Sequence, residues 1–184
     1  MKQIYKSTKN IQKLLKKNNQ GIKLDCGCGS NKQKGFVGMD IRPVEGVDIV
    51  HDIEDVPYPL PADCCGVILA SHLVEHITPK KFLGVMDEWW RIMKTGGQCW
   101  ISLPYGWSHG FIQDPTHCNP CNETTWTYFD PRYPLYSIYA VSPWKIIQSK
   151  WWEHGNMEVV LEKISIKEKD KILKMLKEGK PVML

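Results

Sequence analysis

The run "LDCGCGSN" (24–31), followed at once by "GFVGMDI" (35–41), decides how this chain is read. Two glycines, two cysteines and an acid crowd one tight segment. Three readings compete: a metal knuckle, a nucleotide-binding turn, or an ordinary loop. The run leaves "GIKLD" (21–25), which is short and apolar and suits a buried strand, and it leads into a second strand within "GFVGMDI". In parallel sheets, ligands bind outside the carboxyl ends of the strands. Glycine there lets backbone approach a ligand where a Cβ would collide. Cys26-x-Cys28 is too tight for a zinc pair, and no second pair of thiols stands at zinc-like spacing around it. A dinucleotide turn reads G-x-G-x-x-G. Here Gly27-Cys28-Gly29 is followed by Ser30, Asn31 and Lys32, so the third glycine is missing. The neighbouring segments have to decide.

Working outward, "GVDIV" (46–50) reads as a third strand and "CGVILAS" (65–71) as a fourth, continuously apolar as a strand covered on both faces should be. A helix follows, with Thr78 as its cap, Pro79 in its first turn and Gly96-Gly97 as its stop. Phe82, Val85, Met86, Trp89 and Met93 fall on one side of it and read as core. "QCWISLP" (98–104) supplies a fifth strand. Such alternation predicts a parallel sheet with right-handed crossovers. Residues 105–145 read as an elaborated loop region with a short helix from Glu123 to Phe129, capped by Asn122. "WKIIQSKWW" (144–152) and "MEVVLEKI" (157–164) form a hairpin-like pair of strands. The end of the chain is a charged helix with Ile172, Leu173 and Leu176 on one face.

With 184 residues and 42% hydrophobic side chains, the chain suits one globular domain with a sizeable core. No apolar run reaches the roughly 18 residues of a transmembrane helix, and the N-terminus lacks the apolar region of a secretory signal. Seven cysteines without framework-like spacing read as reduced thiols, and the expected location is cytoplasmic. The net charge of +4 is uneven: residues 1–23 hold seven lysines and no acid, leaving 17 basic against 20 acidic residues in the body. The basic signal therefore belongs to a leader, residues 1–20, read as a solvated helix or as a contact for an acidic polymer or membrane surface.

Acids recur at the strand ends. Asp40 closes the second strand, eleven residues after Gly29, where a carboxylate can accept both hydroxyls of a ribose. Asp52, in "HDI" (51–53), can accept from an exocyclic amine, and "ASHLVEHI" (70–77) closes the fourth strand. Buried carboxylates are costly without partners, so packing alone would make this recurrence a coincidence.

With these residues in place the sequence resembles the class I S-adenosylmethionine-dependent methyltransferases, especially the type 11 group. The resemblance lies in "LDCGCGSN", "GFVGMDI", "HDIEDVPYP", "ILASHLVEHI" and "EWWRIMKTGGQCWISLP", over about residues 21–104, with "DPTH" (114–117) like a loop found in a subset of these enzymes. It implies an α/β, Rossmann-like, seven-stranded, mostly parallel sheet with helices on both faces and the last strand antiparallel. It implies a methyltransferase domain over 21–166, with 105–145 an acceptor-side insertion after the fifth strand, and a C-terminal helix over 167–184. The cofactor implied is S-adenosyl-L-methionine. Asp25, Gly27 and Gly29 would line its methionine and ribose portion, Asp40 would hold the ribose hydroxyls, Asp52 with Ile53 would meet the adenine, and Ile41 would also bind the cofactor. Ser71 and His72 would edge the methyl-transfer site. The chain departs from the family in leaving little room between Gly29 and Asp40 for the usual first helix.

A sulfonium methyl is already an activated electrophile, so a base is needed only if the acceptor must lose a proton. His72, His76, His109 and His117 are the candidates. His76 reads as a ring packed at the start of a helix, and Glu75 as a cap or a partner for a backbone amide. Asp114-Pro115 is turn chemistry, yet Asp114 and His117 together can orient an acceptor hydroxyl and take its proton. The catalytic set is therefore His72, Asp114 and His117. His117, Cys118 and Cys121 form a metal fragment that His109 or His154 would have to complete, and no metal is assigned. The aromatics of 105–139 suit an acceptor pocket or a lid's own core. No "NPPY"-like signature follows the fourth strand, which favours a small-molecule or saccharide-type acceptor over nucleic acid. A non-catalytic cofactor-binding module and a nicotinamide-dependent oxidoreductase are the alternatives. The sequence does not give the oligomeric state.

Overall fold

The computed structural model describes residues 15, 21–139, 141–152 and 155–182. The lysine-rich leader therefore lies outside the described residues except for Leu15, which packs against the core. Seven strands form one sheet: β1 (Ile22–Cys26), β2 (Val37–Asp40), β3 (Ile49–Val50), β4 (Cys65–Ser71), β5 (Met93–Pro104), β6 (Trp144–Trp151) and β7 (Asn156–Lys163). Their order is β3-β2-β1-β4-β5-β7-β6. β1 to β5 pair in parallel, and β7 runs antiparallel to both β5 and β6. The expected sheet, mostly parallel with its last strand antiparallel, is the sheet observed.

β4 sits at the centre and buries Cys65, Ile68 and Ala70, and β1 beside it has Leu24 and Cys26 fully buried. Helix α1 (Pro79–Ile92) covers this centre with Phe82, Val85, Met86, Trp89 and Ile92. Thr78 does not cap α1 through its side chain; its backbone N–H instead donates to Glu54 Oε1. Nor do Gly96 and Gly97 stop it. The helix ends at Ile92, because the carbonyls of Arg91 and Ile92 accept the N–H groups of Asp63 and Cys64 at 3.0 and 2.8 Å as that segment enters β4. Met93 is already extended and pairs with Cys65. The two glycines lie where the β4–β5 ladder shifts register, and a Cβ on Gly97 would meet Gly66 O at 2.9 Å. They serve a bulge rather than a helix end.

The β1–β2 connection has no helix, as its length predicts. Turns replace it, with Asn31 N–H donating to Cys28 O at 3.1 Å and Phe36 N–H to Gln33 O at 3.1 Å. After β5 come three short helices: α2 (His109–Ile112), α3 (Glu123–Thr127) and α4 (Tyr136–Tyr139). Asn122 caps α3 as expected, in a reciprocal pair with Thr125. This insertion is fixed to α1 by fully buried Trp126 and Phe129, whose rings meet Phe82 edge-on at 6.2 and 5.6 Å. Asp130 completes the anchor. Its Oδ2 accepts from Arg132 Nη2 at 2.6 Å and from the Ile146 N–H of β6 at 2.8 Å. The terminal helix α5 (Ile166–Lys177) is capped by Ser165, and Ile172 and Leu173 are only half-buried. Among the described residues no helix is long and apolar enough to cross a membrane.

Candidate functional site

The carboxyl ends of β1, β2, β3 and β4 meet at one edge of the sheet, and the connection after each supplies part of a cleft. Beyond β1 the chain turns through Gly27 at φ +67°, its N–H donating to Met39 O at 2.8 Å. A Cβ there would meet Leu73 Cδ1 at 2.8 Å, so the glycine is required both by conformation and by the close approach of the β4 connection. Asp40 at the end of β2 is 6% exposed. Gly29 N–H donates to its Oδ2 at 2.8 Å, while the Arg42 N–H and Arg42 Nε donate to its Oδ1 at 2.9 and 3.2 Å. Burial opposes ionisation of Asp40, but the Arg42 backbone N–H, the Arg42 guanidinium and the Gly29 N–H outweigh it and hold its carboxyl below the usual carboxylate range.

Asp40 borders a cavity of about 300 Å³ together with Gly27, Ile41, Asp52, Ile53 and Leu73. Five of the residues read from the sequence as cofactor ligands thus meet on one wall. Ile41 is 60% exposed and offers an apolar face to the opening. Asp52 turns its Oδ1 to the Glu54 N–H at 2.9 Å. Asp25, Gly29, Ser71 and His72 are not among the lining residues. Asp25 is buried beneath the turn and accepts the Gln33 N–H at 2.7 Å, and burial raises its carboxyl above the usual range despite that bond. Its position is that of a brace for the glycine run.

A second cavity, of about 580 Å³, adjoins the first and shares His76 with it. His72, Glu75, Asp114 and His117 line it, so the three residues read as catalytic face one space. His72 follows β4 in a left-handed conformation at φ +51°, with its N–H donating to Ser102 O at 2.8 Å. Its Nδ1 lies 3.2 Å from Glu75 Oε1. Asp114 and His117 do not form a close pair, since His117 Nε2 stands 3.8 Å from Asp114 Oδ2 and His117 Nδ1 donates to Phe111 O at 2.9 Å. Two expectations need correction. His76 is not a packing ring alone: its Nδ1 bonds Thr116 Oγ1 at 3.1 Å and its ring meets that of His117 at 4.7 Å. Glu75 neither caps nor binds a backbone amide. Its carboxylate is fully buried with no hydrogen bond among the described residues, because the Cys118 and Asn119 N–H groups go to the Glu75 backbone carbonyl.

The His117, Cys118 and Cys121 fragment does not assemble. The Cys118 thiol faces the carbonyls of His76 and Ile77, and the buried Cys121 thiol faces Asn119 O. Burial pushes the Cys121 thiol up to about 12, which disfavours the thiolate a metal needs. His154 lies outside the described residues. Met39, His51, Glu54 and Leu73 also line the first cavity and were missed in the sequence. Leu73 carries the one usable signal, standing two residues past the fourth strand, opposite the glycine turn.

No family model and no curated protein matches the chain. Solved structures do. A SAM-dependent methyltransferase from Archaeoglobus fulgidus is 20% identical, with 85% of this chain and 95% of that one covered at a TM-score of 0.59. A putative S-adenosylmethionine-dependent methyltransferase from Listeria monocytogenes is 15% identical over 86% and 98% of the two chains, at 0.56. The 16S rRNA (adenine(1408)-N(1))-methyltransferase W203A mutant from Catenulisporales acidiphilia, with cosubstrate SAM, is 15% identical over 86% and 92%, at 0.57. The chain has the Rossmann-like fold of these class I methyltransferases.

Proposed function

We propose that this chain is an S-adenosylmethionine-dependent methyltransferase whose acceptor is a small molecule or saccharide, methylated at oxygen or nitrogen. The observation that carries the reading is Asp40, a buried, ionised carboxylate held by the glycine turn at the wall of the 300 Å³ cavity. The residues present fit an adenosyl group. Gly27 brings bare backbone to the cavity wall, Asp40 offers two fixed oxygens to vicinal hydroxyls, and Ile41 and Ile53 add apolar surface. Asp52 and Ile53 are the residues proposed to meet the adenine.

When bound, S-adenosylmethionine supplies a sulfonium methyl that an acceptor lone pair can attack directly. The chain has to align that acceptor, keep water out and receive a proton. In this reading the second cavity holds the acceptor, and His72 takes its proton. The Glu75 carboxylate, 3.2 Å from His72 Nδ1, stabilises the ring once it is charged. His117, its Nδ1 fixed on Phe111 O, lines the same space. Beyond residue 23 the chain holds 17 basic against 20 acidic residues, which favours an acceptor that is not a polyanion.

Calorimetry with S-adenosylmethionine and with NAD tests the cofactor, and a screen of cell extracts for methylated products tests the acceptor. Binding of S-adenosylmethionine, none of NAD, and label in small-molecule or glycan fractions are expected. Binding without turnover on any acceptor supports a non-catalytic module, and label in RNA overturns the acceptor class.

A further inference from the structure

Glu75, His76 and His117 each bring one donor atom to within 4.8 Å of the others. Glu75 and His76 come from the connection after β4 and His117 from the insertion after β5, so two separate segments of the chain converge. The hydrogen bonds around the two rings fix their tautomers. The Thr116 hydroxyl donates to Asp114 Oδ1 at 2.7 Å, so toward His76 it can only accept, and His76 Nδ1 must carry the proton. His117 Nδ1 donates to Phe111 O. In the neutral tautomer so fixed, Nε2 of each ring is the nitrogen that carries the lone pair. Hydrogen bonds of this kind orient metal-ligating histidines, here one through a hydroxyl–carboxylate relay and the other through a backbone carbonyl.

Glu75 provides the independent observation. Its carboxylate is fully buried, and neither oxygen accepts a hydrogen bond among the described residues. His72 Nδ1 approaches Oε1 without an aligned bond, leaving Oε2 without a donor. A buried carboxylate left this way is costly, and such groups are paired or coordinate metals.

We propose that Glu75, His76 and His117 bind a divalent transition-metal ion at the wall of the second cavity. Two imidazoles and one carboxylate suit the manganese-to-zinc series better than magnesium or calcium, which prefer all-oxygen sites. Bonds of about 2.1 Å place donor atoms about 3–4 Å apart, so an ion draws the three side chains together by roughly an ångström. Three protein ligands leave coordination positions open toward the cavity. That an acceptor oxygen occupies one of them rests on the methyltransferase reading; the ion site itself does not.

Co²⁺ is the probe, added to chelator-stripped full chain and followed by its visible absorption. One equivalent per chain is expected, without a sulfur-to-cobalt charge-transfer band and unchanged in Cys118→Ser. Glu75→Gln, His76→Gln and His117→Gln should each weaken binding at least tenfold. Thr116→Val, at an exposed position, should weaken it about ten- to a hundredfold by releasing the His76 ring. Thermal melts establish that each variant is folded, and if Glu75→Gln is not, the two histidine variants decide. No stoichiometric complex in the wild type, a thiolate band, or wild-type affinity in the folded variants overturns the proposal. S-adenosylmethionine binding, measured on the metal-free protein, reports separately on the methyltransferase reading.

Discussion

Gly29 N–H donates to Asp40 Oδ2 at 2.8 Å, joining the turn after β1 to the end of β2 across eleven residues. The bond holds the carboxylate in place before any ligand arrives, so the oxygens proposed to bind ribose are preorganised. Replacing Asp40 by Ala should weaken S-adenosylmethionine binding by about 1–3 kcal/mol, the worth of charge-assisted hydrogen bonds. Calorimetry checks this, and unchanged affinity would remove the ribose assignment.

The same carboxylate gives stability a pH dependence. Its folded pKa lies below the unfolded value of about 3.9, so the folded state holds the proton less tightly. The contribution is fully present above the unfolded value and is lost as pH falls through the folded one. Denaturation of wild type and Asp40→Asn should differ most at neutral pH and converge in strong acid. A constant difference across that range would count against it.

Gly27→Ala tests the close approach to Leu73. A left-handed alanine whose Cβ meets Leu73 Cδ1 at 2.8 Å should lower stability by about 1–3 kcal/mol. It should also displace Leu73 and weaken cofactor binding. A variant as stable as wild type, with cofactor affinity intact, would show the turn to be tolerant.

Asp130→Ala should be among the most damaging single changes. It removes the buried carboxylate that pairs with the Arg132 guanidinium, whose side chain is 4% exposed, and with it the acceptor of the Ile146 N–H. A loss of about 3–5 kcal/mol in chemical denaturation is expected. A loss under 1 kcal/mol would mean that the insertion is held by its aromatic contacts alone.

His72→Gln should lower kcat about a hundredfold with an oxygen acceptor and leave the S-adenosylmethionine Kd unchanged, because His72 lines the second cavity and not the first. Equal loss in both quantities would place His72 with the cofactor instead.

Much of the fold is legible in the sequence because buried strands and helix faces repeat with fixed periods. The apolar run 65–71 became β4, and the alternation in 157–164 became β7. The end of α1 was not legible. Donation from the Asp63 and Cys64 N–H groups to the Arg91 and Ile92 carbonyls is a long-range event, and Gly96-Gly97 carries the same letters whether it ends a helix or forms a bulge. In the cleft, Asp40 was readable from its distance to the glycine turn. Glu75 and His76 were not, because their roles depend on a segment some forty residues later, whose Thr116 bonds His76 and whose Cys118 and Asn119 occupy the Glu75 carbonyl.

The chain leaves the sheet at Pro104, rejoins it at Trp144 as the edge strand β6, and comes back opposite Pro104 only at Asn156 of β7, where Tyr105 N–H meets Gly155 O at 2.8 Å and the Tyr105 ring stacks on Trp151. Residues 105–143 are thus one contiguous excursion between two strands of the sheet, and they supply Gly110, Gln113, Asp114 and His117 to the second cavity. Gly27 and Asp40 stand on the other side of the sheet order, at the ends of β1 and β2. On the proposed reading, acceptor preference can therefore diverge by exchange of one stretch of gene while the donor half is inherited intact.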